Sequence, residues 1–421
     1  MSYKHEKQII CELAKQLKAV SETPQNKKKR QNWADHNDLK GNTEPVIWVC
    51  PDDDGGWLEL VPETVLECSD QDLRQLEMKL RKYIYHARNF DDDFVFEPAV
   101  YFDIPGEYTG YHYGCKNQGT VWGLRVEAKV AGKNAYHLDN YLKTPEDFQT
   151  VLSHEVDFIP DDGELGRLRE KVEDAVGGII GISFNLPYSV LVQSLLIELV
   201  HMRGLEELMY DLYDNDELLM KVLRHMAESK ARLLDRLERG KMLFDNRTNI
   251  YTGSGGLGYT NAPVKKPEDV RLKDMWGFAD AQEFSQVSPE MFEKFAVQNQ
   301  KIGLNKFGMG CYGCCEPMDN KYDIVFKHIE NLRRISVSPW SDTKIAAENI
   351  GNKAIYSWKP NPALICCGFD EENIYKRLCD VAETAKNCTT EIILKDIRTC
   401  ANTPAHLQKF IRLAKKAFGK V

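Results

Sequence analysis

From residue 177 to the C-terminus the chain keeps one rhythm: a short apolar segment, then an amphipathic stretch with helical spacing. "GGIIGISF" at 177–184 reads as a strand, and helices are expected at about 187–203, 205–213 and 215–240. Strand segments recur in "VRLKDMWGFADAQEF", "KFGMGCYGCC", "RRISVSPW", "KAIYSWKP" and "TEIILKDI", with helical segments between them. Strands that alternate with helices point to a parallel sheet, because parallel neighbours need a long crossover rather than a tight turn. Upstream, "PVIWVC" at 45–50 and "DFVFEPAVYFDI" at 93–104 add two strands around a helix at 70–88, which Ser69 is placed to cap. Ser288-Pro289 and Thr403-Pro404 mark the starts of two later helices. "NIYTGSGGLGYT" reads as a strand leading into a glycine-rich turn.

About eight strands result, which predicts an α/β fold: a (β/α)8 TIM barrel with an N-terminal helical extension. A doubly wound open sheet is the alternative. The positions of polar residues favour the barrel, whose chemistry gathers where strands end. Here those ends read Cys311 to Glu316, Ser338-Pro339-Trp340, Trp358-Lys359-Pro360 and Lys395-Asp396. Residues 1–40 are assigned to the helical extension and 41–421 to the barrel. The basic run "NKKKRQNW" inside the extension reads as a solvated helix face.

With 421 residues, of which 43% are hydrophobic, the chain can bury one large core or two smaller ones. A net charge of −9 argues against general nucleic-acid binding, which needs a basic face. No apolar run approaches the roughly 20 residues that span a bilayer. The first residues alternate charge and apolar side chains, unlike a signal peptide. A cytoplasmic protein without a membrane partner is the expectation, and self-association is compatible with it. The 12 cysteines do not read as a disulfide framework: Cys314–Cys315 and Cys366–Cys367 are adjacent pairs, which rarely bond without strain.

The strongest chemical signal is "FGMGCYGCCEPMDNKYD", which places Cys311, Cys314, Cys315 and Glu316 at one strand end. Thiolates with an added carboxylate suit zinc. In a strand, Cys314 and Glu316 would share a face with Tyr312, and Cys315 would join Cys311 on the other. Cys314, Cys315 and Glu316 are therefore the candidate metal ligands, with Cys366, Cys367 and Cys400 as further donors. Lys359 and Lys395 hold equivalent places on neighbouring strands and would suit a carboxylate or phosphate, unless Lys395 simply pairs with Asp396. Trp276, Trp340 and Trp358 could wall a pocket for a flat or cationic ligand, or could be core. His112 and His154 are loop histidines able to act as acid or base, although such residues more often serve structure. "GSGGLG" matches neither phosphate-binding fingerprint and reads as a turn that must approach a neighbour closely.

The segments "YGCCEPMDNKYDIVFKHIENLRRISVSPWSD", "SWKPNPA" and "EIILKDI" resemble the uroporphyrinogen decarboxylase superfamily, closest to its corrinoid-dependent methyltransferase-like members. "RQNWADHNDLK", "MRGLEELMYDLYDNDELL" and "VRLKDMWGFADAQEFSQVSPEMFEKF" extend the likeness over most of the chain, most weakly at 50–160. The resemblance implies a (β/α)8 barrel and a methyltransferase that moves a methyl group from a small methylated substrate to a corrinoid protein, with zinc assistance. It also implies a His-x-Cys pair on zinc. The matching strand carries Tyr312-x-Cys314, so tyrosine replaces the histidine, and the later cysteine falls near Asp396 to Cys400. On this reading Lys395, Asp396 and Glu316 are catalytic; Trp358, Lys359, Trp340, Trp276 and His112 bind substrate; and cobalamin arrives on a partner protein. The alternative is a metal-dependent decarboxylase or lyase in which Lys359 and Lys395 hold the carboxylates of a small molecule. The arginine-rich stretch of true porphyrinogen decarboxylases has no counterpart here.

Overall fold

The computed structural model describes residues 2–41, 43–111, 119–126, 129–130, 136–137 and 140–420. The principal strands are β1 (Val46–Pro51), β2 (Ala99–Asp103), β3 (Gly181–Asn185), β4 (Trp276–Ala279), β5 (Met309–Tyr312), β6 (Leu332–Val337), β7 (Ile355–Trp358) and β8 (Thr389–Ile397). Six of them form one parallel sheet in the order β1-β8-β7-β6-β5-β4. The sheet is curled into a half barrel. β2 and β3 make a separate parallel pair. The expected ring of eight is thus present only in part: among the described residues no ladder joins β1 to β2 or β3 to β4.

Side chains explain where the ladder stops. An edge strand leaves N–H and C=O groups that must find partners. On β1, the N–H of Ile47 donates to Asp93 Oδ2 at 2.8 Å and that of Val49 to Asp92 Oδ2 at 2.9 Å. The Asp93 N–H returns a bond to the Ile47 carbonyl at 2.7 Å. On β4, Asn246 acts as a substitute strand: the Trp276 N–H donates to its Oδ1 and its Nδ2 donates to the Trp276 carbonyl, both at 2.9 Å. The Gln193 N–H donates to the Phe278 carbonyl at 2.8 Å. Both edges are satisfied without a neighbouring strand.

The glycine-rich segment packs inside the curled sheet. Tyr251 and Leu257 form only an isolated bridge, so the strand expected there is not formed. Gly253 has φ +61°, and a Cβ on it would lie 2.6 Å from Cys311 Cβ on β5. A Cβ on Gly256 would lie 2.6 Å from Arg334 Cζ on β6. The close approach expected of "GSGGLG" is therefore borne out, against strands rather than a phosphate.

Helices α1 (Tyr3–Ser21) and α2 (Pro24–Asn37) confirm the helical N-terminus. α3 (Gln71–Asn89) begins one residue later than expected: Asp70, not Ser69, caps it by accepting from the N–H groups of Asp72 and Leu73. Ile10, Leu13 and Leu17 of α1 share a buried cluster with Leu73, Leu76 and Leu80 of α3. α2 reaches the interior. Its Asn37 Nδ2 donates to the carbonyls of Leu257 and Tyr259 at 2.8 and 2.7 Å, which anchors the glycine-rich loop. Ser288 caps its helix as expected, accepting from the Met291 N–H, whereas Thr403 does not: Pro404 occupies the cap position of the last helix. Among the described residues no helix is long and apolar enough to cross a membrane.

Asn246→Leu keeps the volume but strips both hydrogen bonds from the β4 edge. Each buried backbone group left unpaired costs about 1–3 kcal/mol, so chemical denaturation should show a loss of at least about 2 kcal/mol, with an unchanged m-value.

Candidate functional site

β5 ends because Gly313, at φ +85°, turns the chain out of the extended conformation. The turn that follows is stapled by Glu316, whose carboxylate accepts from the N–H of Cys314 at 2.8 Å and from the N–H of Ala281, just past β4, at 2.9 Å. Both oxygens of the expected ligand and catalytic residue therefore hold backbone. The staple orients the thiols. Cys314 Sγ and Cys315 Sγ lie 3.6 Å apart. The parity expected of a continuing strand is lost, and the two sulfurs face each other.

β8 supplies the opposite charge. Lys395 Nζ stands 3.6 Å from Cys314 Sγ and 2.9 Å from Asp396 Oδ2. The Asp396 carboxylate also lies 3.8 Å from Cys315 Sγ. Asp396 has φ +57°, the left-handed region that a non-glycine residue seldom adopts, and such positions cluster where a side chain must be aimed. Burial opposes the charge on Lys395, but Tyr251, Cys314 and Asp396 outweigh it and hold the ammonium above its ordinary pKa. The thiols divide. The hydrogen bond between them, helped by burial, raises Cys314, and the same bond lowers Cys315. Cys315 is the sulfur that ionises first.

Two acids that the sequence reading took for loop complete the site. Asp280 and Glu283 follow β4 and are held up first by burial, Asp280 to about 7 with Cys314 adding to it, and Glu283 to about 8 with Asp280, Glu316 and Cys314 adding to it. Glu316 is raised to about 7, first by burial and then by Asp280. Asp280 Oδ1 is buried and has no hydrogen-bond partner among the described residues. The strand-end rule that selected Cys314 applies equally to "WGFAD". What the pattern does not carry is the burial that keeps these carboxyls protonated.

The remaining candidates are dispersed. Lys359 is buried at 3% exposure and donates to Ser357 Oγ, which in turn donates to Glu391 Oε1 on β8. Burial lowers its pKa to about 8. Trp358 lies in the hydrophobic core rather than beside Lys359 at a pocket. Trp340 is 68% exposed. Trp276 does line a cavity, and its Nε1 donates to the Gly258 carbonyl at 2.8 Å. His154 Nε2 pairs with Thr109 Oγ1 at 3.1 Å, a structural contact. Cys366 and Cys400 are buried in the main core and Cys367 is exposed. His112 lies outside the described residues.

The cavity has a volume of about 540 Å3 and opens at the C-terminal ends of β1, β2 and β3. Tyr251 is on its wall and also feels the charge of Lys395, although neither sulfur nor Lys395 lines the cavity. For zinc, the 3.6 Å between the sulfurs suits two corners of a tetrahedron with Zn–S bonds of about 2.3 Å. Among the described residues no three His, Cys, Asp or Glu side chains are grouped to hold a metal as they stand. The thiol pair could supply two of the ion's four corners, with the Lys395 ammonium 3.6 Å from Cys314 Sγ, whereas both oxygens of Glu316 are held by backbone. Compared with protein-family models and with curated proteins, the chain finds no match.

Two measurements test this electrostatic picture. Iodoacetamide should alkylate Cys315 ahead of Cys314 at neutral pH, because thiolate is the reacting form, and Lys395→Met should slow the reaction. Asp280 has a folded pKa of about 7 against an ordinary 3.8, so the native state keeps a proton that the unfolded chain has lost. Its contribution opposes folding increasingly as pH rises from about 4 to about 7 and is constant above that. Asp280→Asn should therefore stabilise the protein above neutral pH relative to pH 4, by at most about 4 kcal/mol at about 1.36 kcal/mol per pH unit.

Proposed function

We propose that the chain is a methyltransferase that moves a methyl group from a small methylated substrate to a corrinoid protein. The observation that carries this reading is the pair of facing sulfurs beside a lysine at the ends of two parallel strands. Cys314 and Cys315 would hold zinc, and the bound metal supplies a Lewis acid for the heteroatom that releases the methyl group. Lys395 favours negative charge on the Cys314 sulfur. Asp280 and Glu283 carry protons near neutral pH and can return one to the leaving group. Glu316 positions the thiols without taking part in the chemistry. Methyl transfer needs in-line approach in a site from which water is excluded, and a docked partner carrying cob(I)alamin would provide both.

A second reading, a metal-dependent decarboxylase or lyase acting on a carboxylated small molecule, is favoured by the same protonated acids. Loss of carbon dioxide leaves a carbanion that must be protonated, and Asp280 and Glu283 are suited to that step.

One experiment separates the two. The chain is mixed anaerobically with a reduced corrinoid protein and a panel of methylated amines, ethers and thioethers, and the cobalamin spectrum is followed. Methylcobalamin should appear, and Cys314→Ser should lower bound zinc and rate together. Chelation should weaken activity, more so in acid, where protons compete for the thiolates. Release of carbon dioxide from a carboxylated substrate with no methylcobalamin would replace the first reading by the second.

A further inference from the structure

Helix α3 presents two faces. Leu73, Leu76 and Leu80 belong to the core, as its amphipathic spacing requires. Lys79, Lys82, Tyr83 and His86, at i, i+3, i+4 and i+7, lie on the wall of the 540 Å3 cavity. That face is neither core nor open surface, and no sequence signal of zinc or thiol chemistry touches it.

The charges on this wall are not equivalent. Lys82 Nζ pairs with Asp53 Oδ1 at 2.6 Å and lies 6.0 Å from the Trp57 ring centroid. Asp52 pairs with Arg398 at 2.9 Å, and His86 with Asp92 at 2.9 Å. Asp103 sits at the exposed rim. Lys79 differs: among the described residues no carboxylate lies within ion-pair distance of its ammonium, which burial disfavours, which Asp53 and Asp103 support only from beyond that distance, and which stands 5.3 Å from the Phe102 ring centroid. Around it the wall is aromatic, with Trp57, Tyr83, Phe94, Phe102, Tyr188 and Phe278 among its residues. Asn249, also on the wall, is buried, and its Oδ1 accepts no bond among the described residues.

A half-buried ammonium that no carboxylate contacts directly among the described residues, set among flat apolar side chains, favours a ligand that brings a negative charge onto it together with a planar body. A cationic ligand is disfavoured, because lysines already occupy the faces of Trp57 and Phe102. We infer that this cavity binds a planar aromatic carboxylate, with its ring among the aromatic side chains and its carboxylate on Lys79. The volume falls in the range of small-molecule sites, about 300–1,000 Å3, and exceeds what a single ring fills. The inference concerns binding and does not depend on which reaction the thiols perform.

The test is calorimetric titration of the full chain, without corrinoid or metal, against 2-naphthoate, its neutral methyl ester and its saturated decahydro analogue. The acid should bind at least about tenfold more tightly than the ester, since one charge-assisted hydrogen bond accounts for about ten- to a hundredfold in affinity, and more tightly than the decahydro acid, which keeps the charge but lacks the flat ring. Lys79→Met should remove the preference for acid over ester and leave ester binding unchanged, and Lys79→Arg should retain it. Circular dichroism confirms that the variants fold. Equal binding of acid and ester, equal losses for both in Lys79→Met, or no binding of 2-naphthoate at millimolar concentration would each overturn the inference. Failure of methyl transfer in the corrinoid assay would leave it standing.

Discussion

The interior is organised around one buried guanidinium. Arg334 on β6 is 2% exposed, and its Nε lies 2.9 Å from Glu391 Oε1 on β8. Its Nη1 donates to Thr252 Oγ1 at 2.9 Å and its Nη2 to Asn37 Oδ1 at 2.8 Å. Its guanidinium carbon lies 4.6 Å from the Trp276 ring centroid on β4. One side chain thus connects three strands, the glycine-rich loop and the end of α2. A buried ion pair adds little net stability over a well-packed apolar pair, but breaking it costs about 3–5 kcal/mol because one charge is left alone. Its effect here is on arrangement: the loop can enter the sheet only where Thr252 meets the guanidinium, and Gly256 leaves room for it. Glu391 serves a second chain through Ser357 to Lys359, which is why Lys359 belongs to the interior and not to a pocket.

The strand order was legible because it follows from periodicity alone. Apolar runs such as "KAIYSWKP" and "TEIILKDI" became β7 and β8, and the helices between them appeared where amphipathic spacing placed them. Closure of the ring was not legible, because it depends on which partner a strand edge finds. "DFVFEPAVYFDI" reads as a strand from Asp93, but the strand begins only at Ala99. In the fold, Asp92 and Asp93 meet the N–H groups of β1, so side chains ahead of β2 stand in for its backbone. Asn246 does the same for β4. Side chains that replace a strand leave no periodic trace.

The candidate site shows the same division. Cys314, Cys315, Lys395 and Asp396 could be named from strand ends, and the fold brings all four together. Glu316 could be named but not understood, since its carboxylate faces two backbone N–H groups that only the turn geometry supplies. Asp280 and Glu283 went unnoticed because an ordinary carboxylate is unremarkable until burial holds its proton. Positive and negative partners are then graded by depth: an ammonium and an exposed carboxylate on the β8 side, and protonated acids on the β4 side.

The open side of the sheet explains the position of the cavity. A closed parallel barrel fills its interior with side chains from every strand, and its chemistry is confined to loops at the mouth. Here β1 and β4 end the ladder, and the space between them and the β2–β3 pair is bounded by α3, by Asn246 to Gly253 and by Tyr188. Tyr188 donates to the Gly253 carbonyl at 2.8 Å, which fixes the inner wall against the same loop that Arg334 holds from the other side. The cavity thus lies where the β1 edge meets the carboxylates of Asp92 and Asp93 and the β4 edge meets Asn246 and the Gln193 N–H, with no further strand of the sheet between them among the described residues.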